Sequence, residues 1–174
     1  MATDPWIEDD RELSSFRVLV VEDYEPFRRF ICSTLEKRTD LLIVGEASNG
    51  LEAVHKAEEL HPDLILLDVG LPSLNGIEAA RQICKLSPKS KILFVSQESD
   101  ADVVQEAFRI GARGYVVKLN TGSDLLPAVE AVCQGKRFVS AGLAGHVTAE
   151  LADGQVSSRI HQHEDLASPL ETGN

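Results

Sequence analysis

The sequence predicts an α/β fold in which a parallel sheet of five strands is covered by helices on both faces. Five short aliphatic runs alternate with five segments whose apolar residues recur at helical spacing. The third run, Leu64–Leu67, consists of four consecutive aliphatic residues, which is typical of a strand buried on both faces. Right-handed crossovers between such strand–helix units produce a doubly wound parallel sheet.

The first two strand–helix units have clear start and stop signals. Phe16–Val21 is the first predicted strand, and Pro26 suits the first turn of the helix that follows it. Leu41–Ala47 is the second strand, and an Asn-Gly pair at 49–50 marks the turn into the second helix. Pro62 ends that helix, because proline cannot continue the hydrogen-bond ladder. The apolar faces of the two helices are predicted from Phe27, Phe30, Ile31 and Leu35 and from Leu51, Val54, Ala57 and Leu60.

The later units follow the same alternation after the Leu64–Leu67 strand. They are a helix at 75–86, a strand at 91–95, a helix capped by Ser99 and Asp100, and a strand at Gly114–Val117. A fifth helix is predicted to begin near Ser123 or Asp124, because Pro127 is tolerated only in the first turn of a helix. For five units of this kind the flavodoxin-like strand order 2-1-3-4-5 is the expected topology.

The domain boundaries follow from where this alternation begins and ends. We expect one domain at 16–140, preceded by a disordered lead-in at 1–15. Residues 138–140 are expected to extend the packing of the domain. The remainder, 141–174, begins with an expected short helix over 141–152. Residues 153–174 are polar and lack apolar periodicity, so we expect them to form a flexible acidic tail.

Composition restricts the functional class. The chain has 174 residues, a hydrophobic fraction of 43% and a formal net charge of -11, which disfavours nonspecific binding to nucleic acid or to an anionic membrane surface. Cys32, Cys84 and Cys133 are widely spaced, so we interpret them as small buried apolar residues in a reducing compartment. No apolar run is long enough for a membrane span, and 1–15 does not resemble a signal peptide. A cytoplasmic location is therefore expected.

Five polar residues follow the predicted strands at their carboxyl ends, where open α/β sheets bind ligands. They are Glu22, Asp23, Asp68, Ser96 and Lys118. Three clustered carboxylates repel one another unless a hard divalent cation such as Mg²⁺ joins them. A hydroxyl and an ammonium suit a phosphoryl group, with Asp68 as the nucleophile that forms an acyl phosphate. The alternative is that each residue is a helix cap or a solvated loop residue, as Asp68 could be before the third helix.

Several stretches resemble the receiver domain of two-component response regulators, the CheY-like phosphoacceptor module, from Phe16 to about Ser140. The matching motifs are Val-Val-Glu-Asp at 20–23, Leu-Leu-Asp-Val-Gly-Leu-Pro at 66–72, Asn-Gly at 75–76, Phe-Val-Ser at 94–96 and Gly-Ala-Arg-Gly-Tyr-Val-Val-Lys at 111–118. The motifs Val-Gly-Glu-Ala at 44–47, Asn-Gly at 49–50 and Gly-Lys-Arg-Phe-Val-Ser at 135–140 resemble the NarL/FixJ subfamily in particular.

The resemblance implies a role for each residue of the acidic group. Asp68 matches the aspartate that accepts a phosphoryl group from a sensor histidine kinase or a phosphotransfer protein. Asp23 and Asp68 would bind Mg²⁺ directly, Glu22 would bind it through water, and Gly70 would offer its backbone carbonyl. A haloacid dehalogenase-type enzyme would need a second aspartate at position 70, so catalysis on an external substrate is not expected.

The resemblance also assigns the switch. Ser96 matches the hydroxyl that moves to the phosphoryl group, Lys118 the lysine that pairs with a phosphoryl oxygen, and Tyr115 the aromatic residue whose rotamer changes. A downstream protein would bind the face formed by the fourth helix, fifth strand and fifth helix, and a homodimer that forms on phosphorylation is compatible with this function. Gln97 follows Ser96 where the family usually has a small residue, and Leu119 follows Lys118 where many receivers have proline. In addition, Glu98 lies two residues after Ser96, and Gly70 lies two residues after Asp68.

The residues after the predicted domain indicate whether the chain could bind DNA. NarL/FixJ regulators carry a basic helix-turn-helix there, whereas 141–174 has one arginine, no lysine and five acidic residues. No nucleic-acid binding by this chain is therefore expected. The sequence leaves open a stand-alone receiver, the truncated receiver part of a longer regulator, and a receiver that acts as a dimerisation or scaffold module without phosphorylation.

Overall fold

The computed structural model describes residues 15–147, which form a six-stranded parallel sheet between two layers of helices. The strands are β1 (Phe16–Val21), β2 (Leu41–Ala47), β3 (Leu64–Leu67), β4 (Lys91–Ser96), β5 (Gly114–Val117) and β6 (Phe138–Val139). The helices are α1 (Glu25–Leu35), α2 (Gly50–Leu60), α3 (Gly76–Leu86), α4 (Ala101–Arg109) and α5 (Thr121–Cys133). Two 3₁₀ segments, Lys118–Asn120 and Ala141–His146, follow β5 and β6.

The sheet confirms the predicted strand order and extends it by one strand. Its order is β2-β1-β3-β4-β5-β6, with every neighbouring pair parallel. The two-residue strand β6 pairs with β5 through Phe138 opposite Gly114 and Val139 opposite Tyr115. The outer edge of β5 is therefore occupied by the segment that was expected only to extend the packing.

Alternate strand residues face two separate cores, because successive side chains of a strand point to opposite sides of the sheet. In β3, Leu64 and Leu66 pack toward α1 and α5, whereas Ile65 and Leu67 pack toward α2, α3 and α4. All four residues are buried. This two-sided burial explains why the β3 sequence is continuously aliphatic rather than alternating.

Side-chain caps account for three of the helix starts. Asn49 accepts a hydrogen bond from the Glu52 N–H, and Asn75 accepts one from the Glu78 N–H. Asp100 caps α4 in the same way. The predicted start of α5 was wrong, because the 3₁₀ turn after β5 leads directly into a helix that begins at Thr121. Pro127 therefore lies inside α5, where its missing N–H costs one hydrogen bond.

Some predicted core residues lie at the surface instead. Phe30 and Leu51 are large exposed apolar residues, although helical spacing placed them on apolar faces. The three cysteines are free thiols and only partly buried. In place of the short helix predicted at 141–152, the described part of the chain has the 3₁₀ segment Ala141–His146.

The rest of the predicted tail and most of the lead-in at 1–15 lie outside the described residues. Within 15–147, no helix combines the length and apolarity that crossing a bilayer requires.

The loop that follows β3 is wedged against the first residues of α2 and α3. The Gly76 N–H donates to the Val69 carbonyl at 2.7 Å, and the Gly50 N–H donates to the Pro72 carbonyl at 3.3 Å. A Cβ on Gly76 would lie 1.9 Å from the carbonyl oxygen of Asp68, a distance that no side chain can adopt. The two glycines therefore allow the backbone around residue 68 to pack directly on the helix starts.

This packing predicts a stability difference between two glycine substitutions. We expect Gly76→Ala to lower the free energy of unfolding by about 2–3 kcal/mol, because the backbone at Asp68 has to move away. Gly122→Ala is the matched control in α5, since a Cβ there meets nothing within 4 Å, and we expect it to be neutral or to stabilise by about 0.5–1 kcal/mol. Urea unfolding measures both values. Equal stability of the two variants would contradict the close packing at Gly76.

Candidate functional site

The carboxyl ends of four neighbouring strands meet at one edge of the sheet and form a cavity of about 860 Å³. Its lining includes the five residues that the sequence analysis singled out, Glu22, Asp23, Asp68, Ser96 and Lys118. They follow or end β1, β3, β4 and β5, which are adjacent and parallel. The topology therefore brings together residues that are almost 100 positions apart in sequence.

The three carboxylates form a compact acidic cluster. Glu22, Asp23 and Asp68 each offer an oxygen within 4.8 Å of the others. Glu22 and Asp68 are buried and Asp23 is exposed. The Tyr24 N–H donates to Glu22 Oε1 at 3.0 Å, and the Gly70 N–H donates to Asp68 Oδ1 at 3.3 Å. Backbone donors of the two loops thus orient the two buried carboxylates.

Lys118 lies between the two buried carboxylates. Its Nζ is 2.8 Å from Asp68 Oδ2 and 2.7 Å from Glu22 Oε2. The same ammonium lies 5.0 Å from the centre of the Phe27 ring, within the range of a cation–π contact. Phe27 therefore packs beneath the lysine and holds its side chain toward the acidic cluster.

The pKa values of the ion-paired groups are shifted. Burial raises the pKa of Glu22 above its ordinary value of 4.5, and the negative charge of Asp68 acts in the same direction, while contacts with Lys118 and the Tyr24 N–H oppose the rise. Burial lowers the pKa of Lys118, but its close contacts with Asp68 and Glu22 and the negative charges of these two carboxylates outweigh this, so that the net shift is upward. Lys118 is therefore a stable cation at neutral pH.

The acidic cluster has the chemistry of a divalent metal site. The three carboxylates of the cluster together with the Lys118 ammonium carry a formal charge of −2. Glu22 Oε2 is buried and makes no well-aligned hydrogen bond, although Lys118 lies close to it. Oxygen donors with unbalanced negative charge suit a hard cation such as Mg²⁺. Gly70 lines the same cavity, and a Cβ there would meet no atom within 4 Å, so that side of the cluster is open.

Ser96 and Tyr115 are joined through the loop after β4. Ser96 Oγ accepts a hydrogen bond from the Glu98 N–H at 3.1 Å, and the Tyr115 hydroxyl donates to the Glu98 carbonyl at 2.6 Å. Both side chains are buried. Burial raises the pKa of Tyr115, so its phenol is neutral. Tyr115 is therefore bonded to Glu98, a residue of the cavity wall, and does not itself line the cavity.

The structure adds residues that the sequence analysis did not assign to the site. Tyr24 and Phe27 line the cavity, as do Gln97, Glu98 and Leu119, which the sequence analysis noted only as departures from the receiver pattern. Phe27 had been placed on the core face of α1 by its helical spacing. The sequence did contain one indication that Phe27 belongs to the site. It lies four residues after Asp23, in the first turn of a helix that begins at the sheet edge.

Comparison with known proteins identifies the family. The response regulator receiver domain model matches residues 18–130, and the chain belongs to this family of two-component signalling domains. The transcriptional regulatory protein LiaR of Bacillus subtilis (strain 168) is 33% identical over 146 residues, which cover 84% of this chain and 69% of LiaR. The response regulator protein VraR of Staphylococcus aureus (strain Mu3 / ATCC 700698) is 36% identical over 122 residues, which cover 70% of this chain and 58% of VraR.

A solved structure gives the same result. The crystal structure of a LuxR-family two-component response regulator from Aurantimonas sp. SI85-9A1 superposes with a TM-score of 0.73 at 31% identity, covering 79% of this chain and 98% of that chain. Together with LiaR and VraR, it confirms the predicted receiver fold and the likeness to the NarL-type subfamily. The chain spans little more than half the length of VraR.

The raised pKa of Glu22 predicts a pH dependence of stability. Because the folded protein binds this proton more tightly than the unfolded chain does, the stabilisation is complete below pH 4.5 and is lost as the pH rises through the raised pKa. Without Mg²⁺, we expect the free energy of unfolding of the unmodified protein to fall relative to Glu22→Gln as the pH rises above 4.5. Urea unfolding in a chelator-containing buffer series measures the difference. Parallel profiles for the two proteins would contradict it.

Proposed function

We propose that this chain is a phosphorylation switch that accepts a phosphoryl group on Asp68 from the phosphohistidine of a sensor histidine kinase or a phosphotransfer protein. The observation that carries the proposal is the position of Lys118, whose ammonium contacts Asp68 while three carboxylates surround the same point. A solvent-exposed aspartate in a loop has no need of a cation beside it. A carboxylate that becomes a phosphorylated nucleophile does, because the phosphoryl oxygens add charge.

The chemistry follows from the side chains around Asp68. An oxygen of its carboxylate attacks the phosphorus, the bond from phosphorus to the histidine nitrogen breaks, and an acyl phosphate forms on residue 68. Lys118 then moves its hydrogen bond from the carboxylate to a phosphoryl oxygen. Ser96 lines the same cavity and supplies a hydroxyl to another oxygen. Position 70 is glycine, so the general acid that a hydrolytic enzyme would need is not offered there.

The metal would be held by residues of the acidic cluster. Asp23, Asp68 and the Gly70 carbonyl would bind Mg²⁺ directly, and Glu22 through water. When bound, the ion neutralises charge on the carboxylates and on the transferred phosphoryl group. Asp23 is the exposed member of the cluster, which leaves an entry path from solvent. Glu22 and Asp68, both buried, supply the fixed part of the site.

The signal would leave the site through the loop after β4. The Ser96 hydroxyl is held by the Glu98 N–H, and Tyr115 by the Glu98 carbonyl, so a movement of Ser96 toward the phosphoryl group disturbs both bonds. We propose the receiver unit at 16–140 and a response surface on α4, β5 and α5 that binds a downstream protein or a second copy of the chain in the cytoplasm. Because β6 occupies the outer edge of β5, this surface is bounded by β6.

Phosphorylation is tested by intact mass. Incubation with acetyl phosphate and Mg²⁺ is expected to add about 80 Da, in an acyl linkage that is lost at alkaline pH. Asp68→Asn is the matched control and should gain no mass, because the amide has the shape of the carboxylate without its nucleophilic oxygen. An unmodified mass under conditions in which the chain binds Mg²⁺ would reject the phosphoacceptor role and favour a scaffold module that acts without phosphorylation.

Metal binding predicts effects of opposite sign for two substitutions at the cluster. Asp23→Asn removes a ligand charge and is expected to weaken Mg²⁺ binding about tenfold or more. Lys118→Met removes a competing cation and is expected to strengthen it by roughly threefold or more. Titration calorimetry at neutral pH measures both constants, with Asp102→Asn, a surface acid in the first turn of α4, as the control. A weaker affinity in Lys118→Met would show that the metal does not compete with the lysine charge.

A further inference from the structure

A buried serine at the end of β6 joins three elements beside the phosphorylation site. Ser140 is completely buried. Its Oγ accepts a hydrogen bond from the Val117 N–H at 3.1 Å and donates one to Asp124 Oδ2 at 2.8 Å. Val117 is the last residue of β5 and directly precedes Lys118, and Asp124 lies in the first turn of α5. One hydroxyl thus links the end of β5, the start of α5 and the end of β6.

The backbone around Ser140 is fixed by further hydrogen bonds. Its N–H donates to the Tyr115 carbonyl at 3.0 Å, and its carbonyl accepts from the Leu143 N–H at 2.9 Å. The side-chain bond to Val117 therefore continues the β5–β6 ladder by one step that the backbone of β6 does not make. Leu143 is buried in the core that includes residues of α4. Both backbone groups of Ser140 are therefore hydrogen-bonded, and its hydroxyl is a rigidly placed acceptor.

We propose that Ser140 is a positioning residue for Lys118. The two-residue segment Val117–Lys118 is anchored at its start by the Ser140 hydroxyl, which accepts from the Val117 N–H. On the other side, Thr121 Oγ1 donates to the Lys118 carbonyl at 2.7 Å. These two bonds set the direction in which the lysine side chain leaves the backbone, and its Nζ must reach a point 2.8 Å from Asp68.

Without the Ser140 hydroxyl, the end of β5 can rotate. The Lys118 ammonium then spends less time at the position from which it would donate a hydrogen bond to a phosphoryl oxygen. The functional consequence of this inference rests on the proposed phosphorylation of Asp68, while the structural relation between Ser140 and Lys118 is independent of it.

The test separates positioning from general damage to the fold. Beryllofluoride, a phosphoryl analogue that adds to an aspartate, would present a fluorine to Lys118 where a phosphoryl oxygen would lie, whereas Mg²⁺ alone would make no bond to the lysine. We expect Ser140→Ala to weaken beryllofluoride binding about 3- to 10-fold, the value of one or two lost hydrogen bonds, and to leave Mg²⁺ binding within about twofold. The Val117 amide should exchange with solvent faster, since it loses its acceptor.

Ser87→Ala is the matched control. Ser87 is also a buried serine, and its hydroxyl contacts Ser90 Oγ at 2.7 Å and His61 Nδ1 at 3.3 Å in a cluster outside the site cavity. It should reduce stability without changing beryllofluoride binding or Val117 exchange. Equal beryllofluoride affinities for Ser140→Ala and the unmodified chain, or parallel losses of beryllofluoride and Mg²⁺ affinity, would overturn the positioning role.

A second pair of variants covers the case in which Ser140→Ala does not fold. Asp124→Ala removes the acceptor of the Ser140 hydroxyl and should also weaken beryllofluoride binding, whereas Asp124→Asn retains an acceptor oxygen and should restore it. The same affinity in both Asp124 variants would contradict the proposal.

The inference and the proposed function can fail separately. If the unmodified chain binds Mg²⁺ but not beryllofluoride, the phosphoacceptor role fails. The side-chain ammonium signal of Lys118 in nitrogen-15 NMR then tests separately whether Ser140 positions Lys118. That signal should be sharp in the unmodified chain because of the ion pair with Asp68, and broadened in Ser140→Ala. An unchanged signal would reject the role of Ser140.

Discussion

The site depends on one ammonium group placed between two buried carboxylates. A buried carboxylate without a partner is costly, and Lys118 is the cation that makes Glu22 and Asp68 acceptable at this depth. One lysine cannot neutralise three carboxylates, however, and burial, together with the negative charge of Asp68, raises the pKa of Glu22. The chain folds with electrostatic repulsion left among these carboxylates, and a bound cation or protonation would relieve it.

The remainder of the fold holds these charges in place. The parallel sheet brings the strand ends together, and the glycines at the starts of α2 and α3 let the loop after Asp68 pack without side chains between them. Phe27 lies beneath the lysine, and Ser140 fixes the strand end from which the lysine projects. Each of these contacts limits how far a charged group can move away from its neighbours. Rigidity of the scaffold is what allows a small change at Asp68 to have a defined effect.

Much of this arrangement is encoded in local sequence patterns. The Leu64–Leu67 run predicted a central strand, and the residues that follow the strands predicted the acidic cluster, because strand ends of a parallel sheet meet. Local sequence patterns did not predict the features that depend on tertiary contacts. The strand β6 is only two residues long and is defined by its pairing with β5. The start of α5 is set by the turn after β5 rather than by Pro127, and Phe27 has the spacing of a core residue although it contacts Lys118.

The position of Glu98 supports the proposal that Ser96 and Tyr115 act as parts of one switch. Its backbone N–H donates to Ser96 and its carbonyl accepts from Tyr115, so a single residue is bonded to both side chains. If the Ser96 hydroxyl turned toward a phosphoryl oxygen, it would give up the Glu98 N–H as a donor. The loop would then be free to shift, and the buried phenol of Tyr115 would have to follow its acceptor or lose a hydrogen bond in a low-dielectric interior. Under the proposed function, the cost of an unpaired buried hydroxyl would couple the charge at Asp68 to the position of the loop that precedes α4.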